Sequence, residues 1–260
     1  MTIGADGPDA LQWMPGAPAR LEGPPLAFVP RLSLEISSVL VGPFTDARSR
    51  AGLDQATHGS GGPTSVGSEE LRFAPETGAL AGLLLPVPEE DLSYWDQVEP
   101  WLAVEPVESG LRTGRSEWAE VPQATQYLFE AGTLAGVRLG PWPPPRPRVA
   151  VRVRVAPDLE LLFGDGAYRG WMLHRAAHHL VRSWEPSPST EPEVDLPRLL
   201  AEYLRLTDKH SRRLLVGADP AHRGRMEALR RRLASKQEAA SPQREALRGR
   251  VEDLLARYFP

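Results

Sequence analysis

The chain holds 260 residues, 41 % hydrophobic and 25 % charged, with a formal net charge of -4; that is enough apolar side chain for a core of ordinary size and too much for a wholly disordered polypeptide. Its 27 prolines and 23 glycines interrupt the backbone too often for a long helical bundle over the first two-thirds, and the absence of cysteine excludes disulfides, thiolate zinc sites and cysteine nucleophiles. No stretch of about 18 apolar residues occurs, and "MTIGADGPDALQWMPG" has neither the basic nor the apolar part of a secretory leader, so no membrane span or signal peptide is expected and the expected compartment is cytoplasmic.

In chain order, residues 1–30 contain Pro8, Pro15, Pro18, Pro24, Pro25 and Pro30 and read as an extended N-terminal arm. In "RLSLEISSVLV", Leu32, Leu34 and Ile36 alternate with Ser33, Glu35 and Ser37, the period of one half-buried strand. Residues 46–68, centred on "HGSGGPTSVGS", read as a mobile loop; they have the glycines of a phosphate-binding loop but no Lys followed by Ser or Thr.

One phrase then occurs three times: "GALAGLLL" at 78–85, "GTLAGVRL" at 132–139 and "GAYRGWML" at 166–173. Extended backwards, each copy predicts strand, turn, strand. Asp165-Gly166 is a tight-turn dipeptide with positive φ, and Gly78 closes a longer turn begun at Pro75. Symmetric pairing about those turns sets Phe73 against Leu80, Phe129 against Leu134 and Phe163 against Tyr168. It also sets Gly82, Gly136 and Gly170 opposite Leu71, Tyr127 and Leu161, so that a bulky side chain covers each glycine. Residues 168–184 also fit one helix, because Tyr168, Met172 and Ala176 recur every four residues.

The acidic segment between the first two copies presents Tyr94, Trp95 and Trp101, either as core aromatics or as a partner-binding surface. "PWPPPR" at 141–146 reads as a stiff connector. In "VAVRVRVA" the valines 149, 151, 153 and 155 face one way and Arg148, Arg152 and Arg154 the other, a strand whose solvated arginine row is a second candidate surface for an acidic partner. "WMLHRAAHHLVR" places His174 and His178 four apart, on one face if the segment is helical, and these are the candidate metal ligands. A zinc-protease helix needs glutamate directly after the first histidine, where this chain has Arg175, so the expectation is no zinc enzyme and no cofactor. No Gly-x-Ser-x-Gly elbow is present.

Residues 185–195 have the Pro, Ser and Glu composition of a linker. Beyond them Leu196, Leu199, Leu200, Tyr203 and Leu204, then Met226, Leu229 and Leu233, then Leu247, Val251, Leu254, Leu255 and Tyr258 form three stripes at helical spacing, separated at Gly217–Pro220 and Ser241-Pro242. Charge is divided unevenly: residues 196–260 hold 15 Lys and Arg against 8 Asp and Glu, and residues 1–195 hold 15 against 26. The helix carrying Arg223, Arg225, Arg230, Arg231 and Arg232 is expected to dock on the acidic body of its own chain in preference to phosphates.

These features predict an α+β protein: a β-rich body of antiparallel hairpins and meanders over 31–184, preceded by the arm and followed by the linker and a basic helical C-terminal region, 196–260. The expected function is non-catalytic binding of another protein, in an accessory or immunity-type role. A bacterial source follows from basic residues that are nearly all arginine, Lys209 and Lys236 being the only lysines. The alternatives are a metal-dependent hydrolase using His174 and His178, and a nucleic-acid binder using the basic tail.

Overall fold

The computed structural model describes residues 11–14, 16–60, 68–92, 98–114, 121, 123–138, 147–235 and 240–260. Among these residues the strands form one sheet of ten and one of six, and most helical residues lie near the C-terminus, which is the α+β class expected. The six-stranded sheet runs β16 (Leu180–Val181), β3 (Arg31–Ser33), β4 (Ser38–Val41), β7 (Leu80–Pro86), β6 (Glu70–Phe73), β5 (His58–Gly59). The main path of the larger sheet runs β10 (Leu111–Thr113), β2 (Ala17–Leu21), β1 (Leu11–Met14), β15 (Ala167–Leu173), β12 (Thr133–Val137), β11 (Gln126–Glu130), β8 (Glu90–Asp91). On its other edge β15 takes β14 (Leu159–Gly164), which continues to β13 (Ala150–Ala156) and β9 (Val107–Glu108).

All three repeated phrases form hairpins, and Phe73 faces Leu80, Phe129 faces Leu134, and Phe163 faces Tyr168 as expected. Both two-residue turns use positive φ, at Ala131-Gly132 and Asp165-Gly166, which matches the twist of antiparallel strands. The expected glycine register holds only in the second copy, where Gly136 faces Tyr127. A β-bulge follows the aromatic pair in the first and third copies, so Gly82 faces Arg72 and Gly170 faces Leu162. One extra residue on the second strand shifts every later pair by one. The cover over the glycines comes from other elements: a Cβ on Gly82 would lie 2.8 Å from Leu53, and one on Gly136 would lie 2.5 Å from the Trp171 ring of β15.

Four further expectations are corrected. The arm does not stand apart from the body, because β1 and β2 are part of the ten-stranded sheet and bury Leu11, Trp13, Met14, Ala17 and Ala19. Pro18 is on the exposed side of β2, where a missing donor does little harm. "RLSLEISSVLV" is not one strand but the β3–β4 hairpin, turning at 34–37 with Ser37 at φ 49°; Ser33 and Ser38 are buried with its leucines, so the alternation does not separate two faces. Within 46–68, α1 (Ala47–Ala56) replaces loop, started by a capping box in which Asp46 accepts from Ser49 N at 2.7 Å. Residues 168–184 are not a helix: β15 runs to Leu173, a 3-10 turn spans Ala176–His179, and β16 follows.

The C-terminal region has four helices where three stripes were read: α3 (Leu196–Thr207), α4 (Lys209–Val216), α5 (Pro220–Ala234) and α6 (Pro242–Tyr258). Side-chain caps start the last three, Asp208 on Ser211 N, Asp219 on His222 N and Ser241 on Arg244 N, each replacing a hydrogen bond that the first helical turn lacks. The leucine stripes of α3 and α6 join the same apolar core as Trp13, Phe73 and Trp171. Residues before α3 are tied down as well, since Glu193 accepts from Ser241 and Gln243 donates to the Thr190 carbonyl at 2.7 Å. A second, smaller core on the other face of the ten-stranded sheet holds Trp101 of α2 (Glu99–Leu102), Leu162 and Met172.

Candidate partner-binding face

Of the candidate surface residues read from the sequence, Trp101 and Arg152 are buried. Tyr94 and Trp95 lie outside the described residues, as does the 141–146 connector. Trp101 is core, its indole donating to the Phe163 carbonyl at 2.7 Å. Arg148 is exposed, but Arg152 is only 9 % exposed and meets the wholly buried Glu160 at 2.7 Å, with the Trp101 and Val104 carbonyls completing its contacts. Arg154 reaches Glu160 at 2.9 Å and Glu108 at 3.1 Å. Alternation alone put the whole row in solvent; α2 and the 103–104 turn cover Arg152, and a cation so covered requires fixed acceptors. Burial would raise the Glu160 pKa, yet His174, Arg152 and Arg154 outweigh it and hold the carboxyl down at about 2.

The histidines are likewise engaged separately. His174 lies 3.3 Å from Glu160, His178 3.4 Å from Glu191 and His179 3.0 Å from Asp158. With the α-helix absent, His174 and His178 have no shared face, and no group of three metal-ligating side chains occurs among the described residues. Burial is the main cause that pushes His179 down to about 4, against the pull of Asp158. Asp158 itself lies below its ordinary value, because hydrogen bonds and charge from Arg175 and His179 exceed the opposing effect of burial.

The five tail arginines behave differently from their expected role. α5 packs on α3, α4 and α6 through His222, Met226, Leu229 and Leu233, so its arginines are turned away from the sheets. Arg232 pairs with Glu202 of α3, and Arg223 with Glu227 one helical turn on at 3.0 Å. Arg225, Arg230 and Arg231 are exposed and have no carboxylate within ion-pair distance among the described residues; Arg225 touches only the His222 ring, at 3.1 Å. Docking of the region onto the body instead uses the leucines of α3 and α6 with three peripheral pairs, Lys209–Glu90, Arg212–Glu89 and Arg182–Asp253. The helix of 15 residues, about 22 Å long at 1.5 Å per residue, therefore presents five arginines against one glutamate.

Sequence reasoning missed both buried acids, Glu160 and Glu69. Glu69, just before β6, is 1 % exposed and accepts from Ala124 N at 2.7 Å. Its other carboxyl oxygen, the Tyr168 hydroxyl and the Trp171 indole nitrogen make no well-formed hydrogen bond. Burial drives its pKa up to about 7 against the nearby Tyr168, Ala124 and Trp171 donors. Only its place beside the strand "LRF" hinted at this. No family model, curated protein or solved structure matches the chain, and no helix among the described residues is long and apolar enough to cross a membrane.

Proposed function

We propose that this chain is a non-catalytic binding protein of the bacterial cytoplasm that recognises an acidic partner protein through the outward face of α5. The observation that carries this reading is the exposure of Arg225, Arg230 and Arg231 without carboxylate partners among the described residues. The groups that would serve acid–base or metal chemistry support it from the other side, because His174, His178 and His179 are each held by a carboxylate within a network that also ties up Arg154 and Arg175. An acidic protein fits better than a nucleic acid. Glu89, Glu90 and Asp91 lie beside Lys209, His210 and Arg213 at one end of the basic region and oppose a continuous row of phosphates, whereas a protein can place its carboxylates around them.

Fluorescence anisotropy with a labelled polyglutamate peptide and a labelled duplex DNA, on the full chain at low and physiological salt, tests the reading. The peptide should bind and lose at least about tenfold on R225E/R230E/R231E, a few rim charge pairs at roughly 0.2–1 kcal/mol each. Failure of the peptide to bind, or tighter binding of the DNA, overturns it.

A further inference from the structure

A cleft of about 230 Å³ opens where the six-stranded sheet meets the helical region, between the β3–β4 turn, the segment after β7, and α3, α4 and α6. This volume equals roughly eight waters at about 30 Å³ each, the size of a small metabolite. Its apolar walls are Leu32, Leu34, Leu204, Leu215 and Leu254. Two buried hydroxyls in its lining, on Ser33 at 0 % and Tyr127 at 2 % exposure, have no hydrogen-bond partner among the described residues. Buried polar groups are nearly always satisfied, so two orphans in one cleft point to an occupant that completes them.

The charges of the lining indicate what that occupant is. Arg212 is neutralised by Glu89, and Asp208 is engaged in capping α4. Arg250, half-buried on α6, has no carboxylate partner among the described residues; its Nε donates to the Tyr203 hydroxyl at 3.4 Å. Arg257, exposed at the same edge, lies over the Tyr258 ring with its carbon 5.5 Å from the centroid. A half-buried guanidinium facing leucines and hydroxyls matches one planar carboxylate, which it can hold through two parallel hydrogen bonds. A dianion such as phosphate is disfavoured, because Asp208 shares the lining and repels a second charge.

We infer that this cleft binds a small organic acid, its carboxylate on Arg250, its apolar part against the leucine walls, and the Tyr127 and Ser33 hydroxyls of the same lining serving its other polar atoms. This site is distinct from the α5 face, and its test does not depend on that reading. Calorimetric titration of the full chain with benzoate, octanoate and inorganic phosphate reads it directly. One of the two carboxylates should bind with a stoichiometry of one, and phosphate at least tenfold more weakly. R250Q should weaken carboxylate binding by about tenfold or more, the scale of a charge-assisted pair. Y127F and S33A delete hydroxyls that have no partner among the described residues, so both should melt at or above the wild-type temperature and bind about threefold more weakly; they keep the test decisive if R250Q does not fold. Absence of carboxylate binding, equal affinity in R250Q, Y127F and S33A, or preference for phosphate overturns the inference.

Discussion

Arginine has opposite fates in β13 and in α5. Arg154 of β13 faces Glu160 directly across the β13–β14 pair, and Arg152 reaches the same carboxylate from the diagonal position; both positions are fixed by the ladder before any side chain moves. Arg230 and Arg231 of α5 have no such fixed acceptor, because the one acid on their helix, Glu227, is held by Arg223. The difference teaches that burial of an arginine is decided by what the neighbouring element supplies. The first pair of arginines is held inside the fold; the second is the pair proposed to meet a partner.

The comparison is broken most severely at Glu160. Replacing it with alanine leaves Arg152 buried without its anion, and the expected loss is about 3–5 kcal/mol by denaturant melting; a loss under about 1 kcal/mol would show that the sheet does not depend on the pair. Gly170→Ala comes next. Gly170 has φ 147°, and a Cβ there would collide with the Gly136 carbonyl, so strain and overpacking together should cost about 3 kcal/mol. Gly132→Ala also adds a side chain at positive φ, but nothing lies within 4 Å, so only about 1 kcal/mol of left-handed strain is expected.

The two buried acids sharpen the comparison through pH. The Glu160 pKa is lowered to about 2 from 4.5, so its contribution is fully present above pH 4.5 and is lost as pH falls through 2, about 3 kcal/mol in all. The Glu69 pKa is raised to about 7 from 4.5. Between those values the folded state holds a proton that the unfolded state has released, so stability falls as pH rises, again by up to about 3 kcal/mol. These two groups alone would place maximal stability near pH 4 to 5, but His179, lowered to about 4 from 6.5, adds stability as pH rises between those values and moves the optimum upward. Glu69→Gln keeps an acceptor for Ala124 N and should remove Glu69's share of the pH dependence, raising stability at pH 8 relative to wild type by about 2–3 kcal/mol; an unchanged slope in chemical melts from pH 5 to 8 would refute this. The smallest stability effect belongs to R230E/R231E, within about 0.5 kcal/mol of wild type, while polyglutamate binding falls. A large destabilisation there would mean that these arginines are structural after all.

Much of the fold was legible. The three hairpins, the aromatic pair inside each, the Asp165-Gly166 turn and the Ser241-Pro242 helix start follow from turn chemistry and local periodicity, which act within a few residues. The candidate site was less so. Arg225, Arg230 and Arg231 could be named as basic, but their direction could not, since periodicity places Met226, Leu229 and Leu233 inward without saying which element lies beneath them. Arg250 was not singled out, and Tyr127 only as the residue facing Gly136: they are 123 positions apart and line one cleft only because α6 and the β11 strand of the larger sheet both border it.

By itself, then, the sequence determined the class, the hairpins and the helical C-terminal region, because backbone torsions and short-range alternation are set by adjacent residues. Tertiary structure alone decided the two bulges, the burial of Arg152 and Glu69, the parting of His174 from His178 and the cleft around Arg250. Each of these depends on which distant surface supplies a hydrogen-bond partner or excludes water, and no local pattern carries that information.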